Sequence, residues 1–157
     1  MSIYVANLAE YNAGNLVGKW IDLPCNNLGK KIKKLLGKDE EYAIHDYEAD
    51  ITIGEYDNPF KLNELAEKLE ELNEYDRPKV TILVDYYGFE YSEAIDRFDE
   101  LEFYSDMTIQ ELAEHYIDEG FLGEIPDHLR NYIDVDAYAR DLQHDYTETK
   151  HGIHRLD

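Results

Sequence analysis

Residues 39–119 carry 26 acidic and 5 basic side chains, a local net charge of −21. The 38 residues before them hold 2 acids and 6 bases, and residues 120–157 hold 8 acids and 4 bases. The middle of the chain therefore carries as much net charge as the whole 157-residue protein, which is also −21. Like charges this dense repel one another in any compact state, which lowers its stability. A chain that keeps them either lives in high salt or uses the field. The lysines at 30, 31, 33, 34 and 38 argue against the high-salt explanation.

The same numbers exclude several classes. With 43% apolar residues and 14 tyrosines, the chain can build a core despite its charge. It has no run of ~18 uncharged apolar residues, so a membrane span is not expected. Met1-Ser2-Ile3-Tyr4-Val5 lacks the basic and apolar regions of a signal peptide. Cys25 is the single cysteine, which excludes an internal disulfide framework and is consistent with a reducing cytoplasm. Nucleic acid and anionic membrane would both repel this charge, so the expected partner is basic.

The pattern along the chain predicts an α+β fold: a small α/β N-terminal unit, an acidic helical middle and an α/β C-terminal unit. Ile3–Leu8, Leu16–Ile21 and Tyr42–Glu48 read as strands, with turn chemistry at Tyr11-Asn12-Ala13-Gly14. Asn27 is expected to cap a helix that puts Leu28, Ile32, Leu35 and Leu36 on one face and lysines on the other, stopping at Gly37. Residues 60–74 form an amphipathic pattern, with Leu62, Leu65, Leu69 and Leu72 at i, i+3, i+7 and i+10. Val80–Val84 fits a strand by local propensity and a buried helix by length and flanks. Ser92 is expected to cap a helix with Ile95, Phe98 and Leu101 inward, followed by a short strand, Leu101–Tyr104. Thr108-Ile109-Gln110-Glu111 is a capping box whose helix runs to Gly120. Pro126-Asp127 and Asp134 each open a short helix, and the tail from Tyr146 to Leu156 is extended.

Catalytic signatures are missing. The chain has no G-x-G-x-x-G, no G-K-[ST] loop, no G-x-S-x-G and no H-E-x-x-H. Asp134-Val135-Asp136 lacks the glycine and bidentate glutamate of a calcium loop, so Asp134 reads as a helix cap. His151 and His154 have no third ligand at suitable spacing, and no metal or cofactor is expected. Cys25 has no sequence neighbour that would activate it, and His45 and Asp46 fall on opposite faces of a strand. The lysines at 30–38 lack interleaved aromatics and read as a solvated helix face or a docking face for acidic neighbours. The chain reads as a non-enzyme.

The charge itself suggests a use. Duplex DNA carries about one negative charge per 1.7 Å, so 21 charges match roughly 36 Å of duplex. Acids three and four residues apart on a helix form rows spaced about 5–6 Å. The candidate DNA-like surface is Glu64, Glu67, Glu70, Glu71, Glu74, Asp96, Asp99 and Glu100, with Asp118, Glu119 and Glu124 further on. The alternative is an acidic binding or chaperone-like module for some other basic DNA-binding protein. A carboxylate-based hydrolase is a more distant reading.

One resemblance spans nearly the whole chain. The residues that carry it begin with Ile3-Tyr4-Val5-Ala6-Asn7-Leu8, Tyr11–Trp20 and Glu41–Glu48. Later stretches are Tyr116–Glu119, Leu122-Gly123-Glu124-Ile125-Pro126, Asn131–Asp134, Ala137–Leu142 and His151-Gly152-Ile153. In order and spacing they resemble the ArdA antirestriction family. The resemblance implies a non-enzymatic DNA mimic from a mobile element that occupies the DNA groove of type I restriction–modification enzymes. It implies three small domains in a curved rod, here 1–56, 57–103 and 104–157, and an antirestriction motif near Leu122–Tyr138. It also implies helix for 79–87, and a homodimer built on the C-terminal region. Ile133, Val135 and Tyr138 are the candidate dimer contact, since charge falls off there and apolar residues gather. The alternative for these three is that they complete the C-terminal core.

Overall fold

A computed structural model describes residues 1–156. Its order is β1 (Ser2–Asn7), α1 (Leu8–Asn12), β2 (Gly18–Asp22), α2 (Leu28–Leu36), β3 (Tyr42–Glu48), α3 (Pro59–Glu71), α4 (Arg77–Asp85) and α5 (Tyr91–Arg97). There follow a 3-10 turn (Phe98–Glu100), β4 (Leu101–Ser105), α6 (Ile109–Asp118), α7 (Asp127–Arg130), α8 (Val135–Leu142), β5 (Thr147–Thr149) and β6 (Gly152–Leu156). The fold is mixed α+β, with a small antiparallel sheet near each end and helices between them. The chain packs as two compact units, Met1–Phe98 and the part from Asp99 onward.

In the first unit β1 is the central strand, in the order β2-β1-β3. Alternation along β1 sends Ile3 and Val5 into a core shared with Ile21, Leu28, Ile32 and Leu36. Gly37 follows α2 with φ of 61°, a left-handed conformation that suits glycine and ends the helix. Asn27 precedes α2 but makes no side-chain cap bond, contrary to expectation. The strand expected to include Leu8 stops at Asn7 instead. The buried Asn7 side chain accepts from the Glu10 amide at 3.2 Å and opens α1 across the expected turn. Leu16 lies outside β2 and is exposed.

The α3 helix is entered through Asn58, whose Oδ1 accepts from the Phe60 amide at 2.9 Å, with Pro59 in the first turn. Leu62, Leu65 and Ala66 are buried, each leucine contributing roughly 1.5–3 kcal/mol relative to exposure. The helix ends at Glu71, three residues short of the expected 74. Asn73 takes over the local hydrogen bonding, accepting from the Tyr75 and Asp76 amides, and Arg77 Nε donates to the Leu69 and Leu72 carbonyls. The ambiguous segment is helix, with Val80, Thr81, Ile82 and Leu83 all buried. Burial on every side erases the amphipathic period that would have revealed it. Ser92 lies inside α5 rather than capping it, because the helix starts at Tyr91 after an extended Glu90.

The second unit holds the sheet β4-β6-β5, all antiparallel. The expected capping box is present: Thr108 Oγ1 accepts from the Glu111 amide at 3.3 Å, and Glu111 accepts from the Thr108 amide at 2.7 Å. The Glu111 carboxyl is held below its usual pKa by those bonds from Thr108. Helices α6 and α8 pack their buried Leu112, Ala113, Tyr116, Ala139 and Leu142 with Ile153 of β6.

Candidate functional site

No described acid is buried, and only Glu10, Asp39, Asp57, Asp76 and Glu102 are half-buried. The eleven carboxylates singled out from sequence are all exposed. In the first unit, Glu64, Glu67, Glu70 and Glu71 stand on α3 opposite its buried stripe, where spacing of three and four residues makes them surface neighbours. Glu74 lies past the helix end, in the turn before α4. Asp96 lies on α5.

The bases of this region are largely occupied. Lys68 lies 4.0 Å from Asp96, Lys79 3.0 Å from Asp76, and Arg97 2.7 Å from Glu93. Arg77 is spent on backbone carbonyls. Asp76 has its carboxyl held below the usual range, chiefly by Lys79 and also by Asn73, against a smaller effect of burial. Among the described residues, Glu64, Glu70, Glu71 and Glu74 form no ion pair, so their charge is open to a partner. Glu67 accepts from Asn63 Nδ2 at 3.1 Å.

In the second unit, Asp99 and Glu100 sit on the 3-10 turn, Asp118 ends α6, and Glu119 is its C-cap. Asp118 is paired with Arg130, which reduces its share of the free field. Gly120 and Gly123, with φ of 76° and 91°, turn the chain between α6 and α7 and leave Glu124 exposed. Ile133, Val135 and Tyr138 are half-buried, and Val135 and Tyr138 pack against their own unit's core. The large apolar side chains exposed in this stretch are instead Phe121, Leu122, Leu129 and Tyr132, the last 84% exposed. Asp134 caps α8, accepting from the Ala137 amide at 2.9 Å.

One arrangement was not visible in the sequence. Glu102 Oε1 accepts from the hydroxyls of Tyr104, Tyr116 and Tyr146 at 2.8, 2.9 and 2.7 Å, and Oε2 meets Arg155 at 2.7 Å. Burial pushes the Glu102 carboxyl up, but the three hydroxyls and the guanidinium outweigh it and hold it low. Tyr146, by burial first and by its contact with Glu102, is pushed up to about 12. The five residues come from β4 (Glu102 and Tyr104), α6, the segment after α8, and β6, so only the fold brings them together.

Exposed carboxylates over helices, with most bases of the acidic segment occupied locally, define an acidic α+β protein that carries its chemistry as a surface charge. A model of the family described as Antirestriction protein (ArdA) matches residues 3–155. The chain belongs to the ArdA antirestriction family, whose members are non-catalytic DNA mimics that inhibit type I restriction–modification enzymes. No individual curated protein matches the chain. No helix among the described residues is long and apolar enough to cross a membrane.

Proposed function

We propose that Glu64, Glu67, Glu70, Glu71, Glu74, Asp96, Asp99, Glu100, Asp118, Glu119 and Glu124 stand in for DNA phosphates in the groove of the type I methyltransferase core. The observation that carries this reading is the α3 row, which is exposed and, at Glu64, Glu70 and Glu71, free of ion pairs. A groove built to release counterions from DNA gains the same contribution from such a row, and the field steers the encounter. Inhibition is then occupancy, stoichiometric and without turnover, in the cytoplasm where the enzyme works. In the test, Glu64, Glu67, Glu70 and Glu71 are changed together to Gln and displacement of a DNA duplex from the methyltransferase core is titrated. The reading expects at least a tenfold weaker competitor with an unchanged circular dichroism spectrum. Undiminished displacement would remove α3 from the contact.

The same proposal includes a homodimer through the 120–142 region. Ile133, Val135 and Tyr138 are half-buried, and Phe121, Leu122, Leu129 and Tyr132 in the same stretch of chain are exposed apolar side chains that such a contact would cover. Two copies of the −21 segment would repel each other, so the contact belongs where charge is low. Sedimentation of the wild type and of Tyr132→Asp tests this, since Tyr132 can be changed without opening the core. A dimer that becomes monomeric on that change is expected, and a wild-type monomer at micromolar concentration counts against it.

A further inference from the structure

The open face of the N-terminal sheet carries a small, ordered arrangement that the acidic helices do not include. Register sets Tyr4 directly between Trp20 and Asp46, and Ser2 directly between Asp22 and Glu48. Residues paired across antiparallel strands share a face, so these six form one grid. Trp20 is the single tryptophan of the chain and is 42% exposed. Its ring meets Tyr4 edge-on at 5.6 Å. The Tyr4 ring lies over Gly18, where an added Cβ would stand 2.5 Å from it, so the missing side chain makes room for the ring. Asp22, Asp46 and Glu48 are exposed, and among the described residues none of them forms an ion pair. Asp22 accepts from Ser2 Oγ at 2.6 Å and Asp46 from the Tyr47 amide at 2.8 Å, each through Oδ1.

The opposite side of the same sheet is different. There Ile3, Val5 and Ile21 are buried, α2 packs on β1 and β2, and Lys30, Lys31, Lys33 and Lys34 face solvent. The N-terminal sheet thus has one cationic side and one side of aromatic rings ringed by carboxylates.

We propose that the Tyr4–Trp20 face is a contact surface for arginine side chains of the target's DNA-binding groove. The proposal rests on the DNA-mimic reading above and extends it to residues outside the acidic helices. Charge complementarity chooses the partner. A guanidinium stacks on Trp and Tyr faces and takes carboxylates as a bidentate acceptor, and this grid offers both within one strand spacing. The lysine side of α2 would be repelled by the same groove, so the protein binds with that side turned outward. The acidic rows supply steering and salt-sensitive affinity, while the aromatic pair supplies a localised, desolvated anchor.

The test places 5-fluorotryptophan at Trp20 in the full-length protein and adds unlabelled type I methyltransferase core, following DNA displacement in the same sample. The expected result is a shifted Trp20 fluorine resonance with a reduced solvent-isotope effect in the complex. Trp20→Ala should weaken displacement about tenfold with little change in its salt dependence. Asp22→Asn with Asp46→Asn should weaken it and also flatten the salt dependence, while Lys30, Lys33 and Lys34 changed together to Gln should leave it within about twofold. If DNA is displaced while the Trp20 resonance and its solvent-isotope effect stay at their free values, the inference is overturned and the mimicry stands. If no complex forms, both fall.

Discussion

Glu102 in the second unit and Glu64–Glu71 in the first are the same kind of side chain put to opposite uses. Glu102 is half-buried and takes three hydroxyls and a guanidinium. The α3 glutamates are exposed, and among the described residues none of the four forms an ion pair, Glu67 accepting only from the neutral Asn63 amide. The contrast shows how a chain of net charge −21 remains folded. Stability comes from leucine stripes and from one well-satisfied polar cluster, while the carboxylates that make the field contribute little to holding the fold. Each of the latter is replaceable, and their sum is not.

The largest expected effect falls on Glu102. Glu102→Ala removes the carboxylate shared by three hydroxyls and Arg155, leaving the hydroxyls only their bonds to one another, and should destabilise the second unit by roughly 2–3 kcal/mol, read as a lower urea midpoint of the tyrosine near-UV signal. Thr108→Ala, which removes the α6 cap, should cost about 1 kcal/mol by the same probe. At the other end of the comparison, Glu64→Gln or Glu70→Gln alone should shift stability by less than about 0.5 kcal/mol. If a single change of that kind abolished inhibition in a folded protein, the distributed field would give way to a discrete site.

Acid separates the two regions as well. His154 is buried, and burial, aided by His151, holds its pKa below 6.5. The unfolded chain then binds the proton more readily, so the second unit loses stability as pH falls below that value. The depressed Glu102 acts in the same direction lower down, its contribution being lost as pH falls below the ordinary carboxylate range and through its folded value. Tyrosine near-UV circular dichroism followed from pH 7 downward should show the loss, and Glu102→Gln should remove the lower part of it.

How much of this was readable in the sequence depended on the range of the interaction. Local signals were clear: the Thr108–Glu111 capping box, the Leu62–Leu65 stripe, and Tyr42–Glu48, whose strand bounds match the expectation. The family resemblance was also legible, and it chose helix where local propensity at Val80–Val84 allowed two answers. Helix α1 was missed because Asn7, buried beneath a strand pattern, doubles as a cap. The end of α3 was misplaced because the Asn73 and Arg77 bonds compete with a periodicity that continues to Leu72. The Glu102 cluster was invisible, since Glu102 and Tyr146 are 44 residues apart and nothing in their spacing links them.

The most direct measurement of the central claim is a titration of the methyltransferase core, holding labelled DNA duplex, with this protein at several salt concentrations. Exposed charges are screened over about 8–10 Å at physiological ionic strength, so affinity carried by distributed carboxylates must fall steeply as salt rises. The account predicts stoichiometric release of chemically intact DNA, with an apparent affinity that drops on a log–log salt plot as the affinity for DNA itself does. Release that is sub-stoichiometric and progressive in time, or that is indifferent to salt, would contradict it.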